Sequence, residues 1–161
     1  MIRLAEEKDL ERVNELRKQV NDVHVNGRPD IFKPGFGEDI KNFVYEMFQA
    51  DDKDIIVAEK DGVICGMACV EYVSKKESPF GFARQFYHVS ELAVDEAFQR
   101  QGIATEILTF IKQDAKERGL EKVELDVWEF NESAKKLYEK AGFHATRTFL
   151  ECESGIVSLS R

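Results

Sequence analysis

With 161 residues and 43% hydrophobic content, the chain carries enough apolar material for one sizeable core and too little for a comfortable second domain. Its formal charge of -8 excludes a partner held through many phosphates, so nucleic acid is not an expected ligand, and an acidic surface suits a cationic one such as an amine. No basic head with an apolar stretch follows Met1, and no run approaches the ~20 apolar residues of a bilayer span, which predicts a cytoplasmic protein without membrane contact.

In chain order, residues 2–5 read as a short strand. Leu10, Val13, Leu16, Val20 and Val23 then recur at helical spacing, giving an amphipathic helix from Lys8 that stops near Asn26 and Gly27. Pro29, Pro34, Gly35 and Gly37 turn the next stretch into a loop that carries Phe32 and Phe36. A second short helix is marked by Ile40, Phe43, Val44, Met47 and Phe48. Residues 55–58 and 63–72 read as strands of a hairpin turned by Asp61-Gly62, a strong tight-turn signal. A polar linker over 74–81 leads to a further strand that ends at Leu92, Ala93 and Val94.

Ile103, Ile107, Leu108, Phe110 and Ile111 line the next helix, closed by Arg118-Gly119. Val123, Leu125 and Val127 alternate as a strand, and Asn131 caps a helix bearing Ala134, Leu137, Tyr138 and Ala141 that Gly142 ends. Two last strands are expected at 146–152 and 156–159. Cys65, Cys69 and Cys152 are odd in number and lack a zinc-like spacing, so they read as small core hydrophobes. Interleaved strands and helices imply a mixed sheet covered on both faces, with ligands beyond the carboxyl ends of strands.

The chemistry begins in that position, after Val94. Gln99, Arg100, Gln101, Gly102, Ile103, Ala104 and Thr105 join a strand to a helix, and Gly and Ala there let a ligand approach the backbone. The first amides of the helix are free, and an anion on them also gains the positive end of the helix dipole, which suits a pyrophosphate. Alone, the same glycine would equally serve a tight turn. No Gly-x-x-x-x-Gly-Lys run is present, and Gly35-Phe36-Gly37 lacks a third glycine and a preceding strand, which argues against ATP and NAD.

Three blocks, Glu91-Leu92-Ala93-Val94-Asp95, Gln99-Arg100-Gln101-Gly102-Ile103-Ala104, and the run from Asn131 to Phe143 that contains Ser133 and Tyr138, follow one another in an order and spacing that resemble the GNAT superfamily of N-acetyltransferases. The motif match covers 90–143; before it the likeness is one of layout only. The resemblance implies an α/β fold (α+β in some schemes), a single domain over 1–161 with a mixed, mostly antiparallel sheet and helices on both faces. It also implies acetyl-CoA as cofactor, with its pantetheine arm on the backbone of Leu92, Ala93 and Val94 and its pyrophosphate on the amides of the turn. Asn131 and Ser133 are implied as further cofactor contacts, and Tyr138 as the general acid near the thioester sulfur.

An alkylamine is mostly protonated at neutral pH, so direct attack needs a proton acceptor. Glu91 and then Asp126 occupy positions the family uses for that task, often through water, and His88 is a third candidate. Tyr138 could on its own spacing be a packed aromatic, and either carboxylate a solvated one. The irregular stretches 25–37 and 74–84 are expected to wall the acceptor pocket, with Arg28, Asp30, Phe32 and Phe36 shaping it. The acceptor would be a small-molecule amine or a protein N-terminal or lysine amine, and a homodimer could form through the terminal strands. Two other readings are a catalytically silent acetyl-CoA-binding or sensing domain and an interaction protein with no cofactor.

Overall fold

The computed structural model describes residues 1–157 of the chain. Its centre is a five-stranded sheet in which sequence order is also spatial order: β1 (Ile2–Leu4), β2 (Lys53–Lys60), β3 (Val63–Lys75), β4 (Arg84–Val94) and β5 (Val123–Leu125). The first four strands pair antiparallel and β5 joins β4 in parallel, which gives the mixed, mostly antiparallel sheet that the resemblance implied. The β2–β3 turn has positive φ at both Asp61 and Gly62, 52° and 78°, the condition for a two-residue hairpin whose twist matches its strands.

Helices cover both faces. α1 (Leu10–Gly27) and α2 (Glu38–Gln49) bury Leu10, Val13, Leu16, Val44 and Met47 against Ile55, Val57, Ile64, Met67, Cys69 and Ala93. On the other face α3 (Ile103–Glu117) buries Ile103, Ile107, Leu108 and Ile111 against Ile56, Ala68, Val70, Tyr87 and Val89, and Leu137, Tyr138 and Ala141 of α4 (Glu132–Lys140) and its C-terminal end join this layer. Gly66 lets α3 sit close to the sheet: a Cβ there would meet Ile103 and Ile107 at 3.0 Å each. The helix ends are set by the residues the sequence points to. The Asn131 side chain accepts from the Ala134 amide at 3.2 Å, and Gly119 and Gly142 take φ of 73° and 93° past the ends of α3 and α4.

The structure differs from the expectations at several places. β5 stops at Leu125, so Val127 is not part of it. Residues 146–152 form no strand; Phe149 and Leu150 are exposed, and propensity without a neighbouring edge does not make a strand. The strand expected at 156–159 lies partly outside the described residues, and Ile156 and Val157 are exposed and irregular. Cys65 and Cys69 are buried as expected, whereas Cys152 is exposed.

Candidate active site

β4 and β5 pair only over Tyr87↔Val123, His88↔Glu124 and Val89↔Leu125. Beyond Val89 the strands part, while β4 continues against β3 to Val94. A register shift opposite Cys69 and Val70 leaves Ser90 as the extra residue, its hydroxyl donating to the Cys69 carbonyl at 3.1 Å. The Asp95 amide donates to the Cys65 carbonyl at 2.8 Å, so antiparallel alternation turns the backbone of Leu92 and Val94 away from β3, into the opening. That edge offers main-chain donors and acceptors to an extended ligand.

The turn that follows has two left-handed residues, Arg100 at φ 63° and Gly102 at φ 79°, and Gly102 precedes the first helical residue, Ile103. The amides of Ile103, Ala104 and Thr105 have no residue four positions back within α3, so they point free at its N-terminus. An added Cβ at Gly102 would meet nothing within 4 Å. The backbone at Gly102 is thus open to solvent, and concave backbone amides of this kind favour an anion. Gln99 leaves the preceding 3-10 turn, Glu96–Phe98, in extended conformation, and Lys60 at the end of β2 donates to the Gln101 side chain at 2.7 Å. Lys60 puts an ammonium beside the turn that no motif signalled.

Asp95 ties this turn to α1. Its side chain accepts from the Ala97 amide at 3.1 Å and from Gln19 at 3.4 Å, and it forms a close ion pair with Arg12. Burial pushes the Asp95 carboxyl up, yet these donors outweigh it and hold the group below its ordinary value of 3.8.

Glu91 projects to the α1 face, like Ala93 two residues on. Arg17 of α1 grips it with two bonds, Nε to Oε2 at 2.8 Å and Nη2 to Oε1 at 3.1 Å. Arg17 itself is buried; its Nη1 donates to Asn14 at 2.9 Å and to the Ile40 carbonyl at 2.7 Å, while Phe36 and Phe43 lie against the guanidinium. Phe36 therefore covers a structural arginine. Asp126 is exposed, one residue beyond β5, and His88 lies in the paired part of β4, below the opening.

Tyr138 lies on the opposite face from Glu91, packed against the α3-side core and against Phe143 at 5.7 Å. Burial raises its phenol above the ordinary 10.0, which keeps the proton on oxygen at neutral pH. Asn131 caps α4, and Ser133 is exposed in its first turn.

Between the end of α1, the loop after it and the loop after β5, four rings pack in a closed cycle. His24 stacks on Phe32 at 5.0 Å, Phe32 meets Trp128 edge-on at 5.4 Å, Trp128 stacks on Phe130 at 6.0 Å, and Phe130 meets His24 edge-on at 6.4 Å. Gly27 is flush with Phe130, since a Cβ there would fall 2.1 Å from the ring. Arg28 lies over Trp128, donates to Asp30 at 2.9 and 2.8 Å, and pairs with Glu151 at 2.8 Å. The loop after α1 and the loop after β5 are thereby joined. The stretch 76–83 stands at the other end of β4, a strand about 33 Å long at ~3.3 Å per residue, so the second expected wall lies away from the opening.

A mixed sheet whose parallel pair opens beside an amide-lined turn is the frame of a coenzyme A-dependent acyltransferase. The chain belongs to the acetyltransferase (GNAT) family, whose profile matches residues 3–143. The structure superposes on a mutant form of the BH1408 protein from Bacillus halodurans with a TM-score of 0.91 at 27% identity, over 95% of this chain and 98% of that one. It shares its fold with aminoglycoside N-acetyltransferase AAC(6')-Iy in complex with CoA, with a TM-score of 0.75 at 20% identity over 97% and 95% of the chains. In sequence it is 30% identical over 125 residues to the uncharacterized N-acetyltransferase YokL of Bacillus subtilis, 77% of this chain and 66% of that protein. It is 43% identical over 53 residues to the ribosomal protein bS18-alanine N-acetyltransferase of Haemophilus ducreyi, 33% of this chain and 37% of that protein. The chain spans less than two thirds of the length of these sequence relatives. Acetyl-CoA is the cofactor of the family, and the free amides, the open Gly102 and the unpaired β4 edge fit it. No helix among the described residues is long and apolar enough to cross a membrane.

Proposed function

We propose that this chain transfers an acetyl group from acetyl-CoA to a primary amine by direct attack. The observation that carries the reading is the opening between β4 and β5, which has the free amides of a helix start at its end and the Tyr138 phenol and the Glu91 carboxylate on its opposite faces. Acetyl-CoA supplies, when bound, an acetyl thioester ready for attack by nitrogen. The amides of Ile103, Ala104 and Thr105 would hold its phosphates, with the main chain of Leu92 and Val94 along its arm and the Asn131 and Ser133 end of α4 beside it. Tyr138 would keep a proton at its phenol oxygen for the departing sulfur. Glu91, fixed by Arg17, would draw a cationic amine in from the α1 side and stand at the end of a water path for its proton, with Asp126 as the exposed alternative.

The loop bearing Arg28, Asp30, Phe32 and Phe36 would shape the acceptor side, whether the amine belongs to a small molecule or to a protein. The names of relatives point both ways, to an aminoglycoside and to a ribosomal-protein alanine, and both present amines. The exposed Phe149, Leu150, Ile156 and Val157 support a homodimer, which sedimentation would reveal.

The test is thermal unfolding with and without excess acetyl-CoA, followed by thiol release on an amine panel. A ligand at 100 times its Kd adds about 2.7 kcal/mol of stability by mass action. No rise would sink the cofactor site, and a rise without thiol release on any amine would favour the silent binding domain.

A further inference from the structure

Glu91 is held by a buried guanidinium through both oxygens, an arrangement that fixes a negative charge more than it frees a base. A group nearer the incoming amine can take the proton. α1 offers one on the same face: Leu10, Val13, Arg17 and His24 recur at helical spacing, so their side chains fall along one stripe of the helix. His24 is two turns past Arg17, half-buried in the aromatic cycle that joins the end of α1 to the loop after β5, the strand that parts from β4.

We propose that His24 is the immediate proton acceptor for the amine, with Glu91 as the positioning carboxylate that steadies the imidazolium so formed. The inference rests on the acetyl-transfer reading above and deepens it. Three observations support it. First, neither ring nitrogen of His24 is a buried orphan, and the contacts of the ring are stacking and edge contacts with Phe32 and Phe130, so the nitrogens remain open to a proton donor. Second, burial among these rings desolvates the imidazole and lowers its basicity below the ordinary 6.5, while the Glu91 charge pulls the other way. His24 is therefore neutral at neutral pH and can accept. Third, the charges around it favour a transient cation. β4 contributes Glu91, α1 contributes Arg17 already paired to Glu91, the loop after α1 contributes the Arg28 and Asp30 pair beyond Phe32, and the loop after β5 contributes rings, with Glu129 bound to Lys135.

The step balances simply. The ammonium N–H bond breaks, its electron pair stays on nitrogen, and the proton forms a new N–H bond with the imidazole lone pair. Water then removes that proton from His24 before the next turnover.

The experiment uses the full chain, with two readouts. In the protein without acetyl-CoA, the His24 imidazole is titrated by nitrogen-15 NMR. It should titrate below 6.5, and lower still in Glu91→Gln, because the charge that raises it is gone. In the second, His24→Phe and His24→Gln are assayed for thiol release with sisomicin, spermidine and an alanyl peptide as acceptor probes. His24→Phe preserves a stacking ring, so thermal stabilisation by acetyl-CoA should be unchanged while kcat/KM for the amine falls about 10²-fold or more. The acid limb of the wild-type pH profile should vanish in both variants. Retention of wild-type kcat/KM in His24→Phe, or a His24 titration at or above 6.5 that ignores Glu91→Gln, would overturn the proposal. Failure of the wild type to bind acetyl-CoA or release thiol instead removes the acetyl-transfer reading, and is seen without either variant.

Discussion

At the scale of single residues, Tyr138 and Gly102 separate chemistry from binding. Tyr138→Phe keeps the ring on the α3-side core and removes the proton, so kcat should fall by about 10²-fold or more with acetyl-CoA affinity unchanged in calorimetry. Since burial raises the phenol above 10.0, the alkaline limb of kcat that depends on it should lie above that value. Gly102→Ala must place a side chain at φ 79°, at a cost of about 1–2 kcal/mol, and Gly102→Glu adds a carboxylate on the open side where phosphates would sit. Calorimetry should show acetyl-CoA binding lost in Gly102→Glu and an ordinary fold by circular dichroism. The strand, turn and helix around Gly102 were legible in the sequence, because a strand, Gln-x-x-Gly-x-Ala and a helix are contiguous and the amides of a helix start need no partner to be recognised. Arg17 and His24 were not, because Arg17 meets Glu91 across 74 positions and no local spacing carries such a pairing. The available signal was a charged residue on the apolar stripe of α1, where the periodicity of Leu10 and Val13 demands burial. Arg17→Met should cost about 3–5 kcal/mol in urea unfolding, for it leaves Glu91 without its counter-charge and Asn14 without a donor.

At the scale of elements, close approach is enforced by two glycines. Gly66→Ala would push β3 against Ile103 and Ile107, and overpacking of this kind typically costs about 1–3 kcal/mol, seen as a lower urea midpoint with the m-value unchanged. Gly27→Ala would displace the Phe130 ring and open the aromatic cycle, with a loss expected in acceptor kcat/KM larger than in stability. The elements were readable where a local cause sets them, as in the Asp61-Gly62 hairpin, the Asn131 cap and the terminating glycines 119 and 142. Residues 146–152 show the limit of such reading. Thr146, Phe149 and Leu150 favour strand, but a strand exists only with a partner edge, and sequence does not say whether one is offered.

At the scale of the whole molecule, carboxylates tie the layers together and set the response to acid. Asp9 is held below its ordinary 3.8 chiefly by Arg3, which donates at 2.7 and 3.3 Å, and Asp95 by the Ala97 amide, Arg12 and Gln19 against the opposing effect of burial. A lowered folded value means that their stabilisation is complete above about 3.8 and fades as pH falls through the folded values. Urea midpoints measured down the acid range should drop in the wild type, and Asp95→Asn should be less stable at neutral pH with a shallower acid decline. The same aspartate stands in the turn after β4 and is bonded to Arg12 and Gln19 of α1, the helix that carries His24. If acetyl-CoA and the amine both favour the tightened joint, the factor by which one raises the affinity of the other must be the same in both directions. Loosening the joint with Arg12→Met should bring that factor to one and leave two sites that fill in either order, each indifferent to the other.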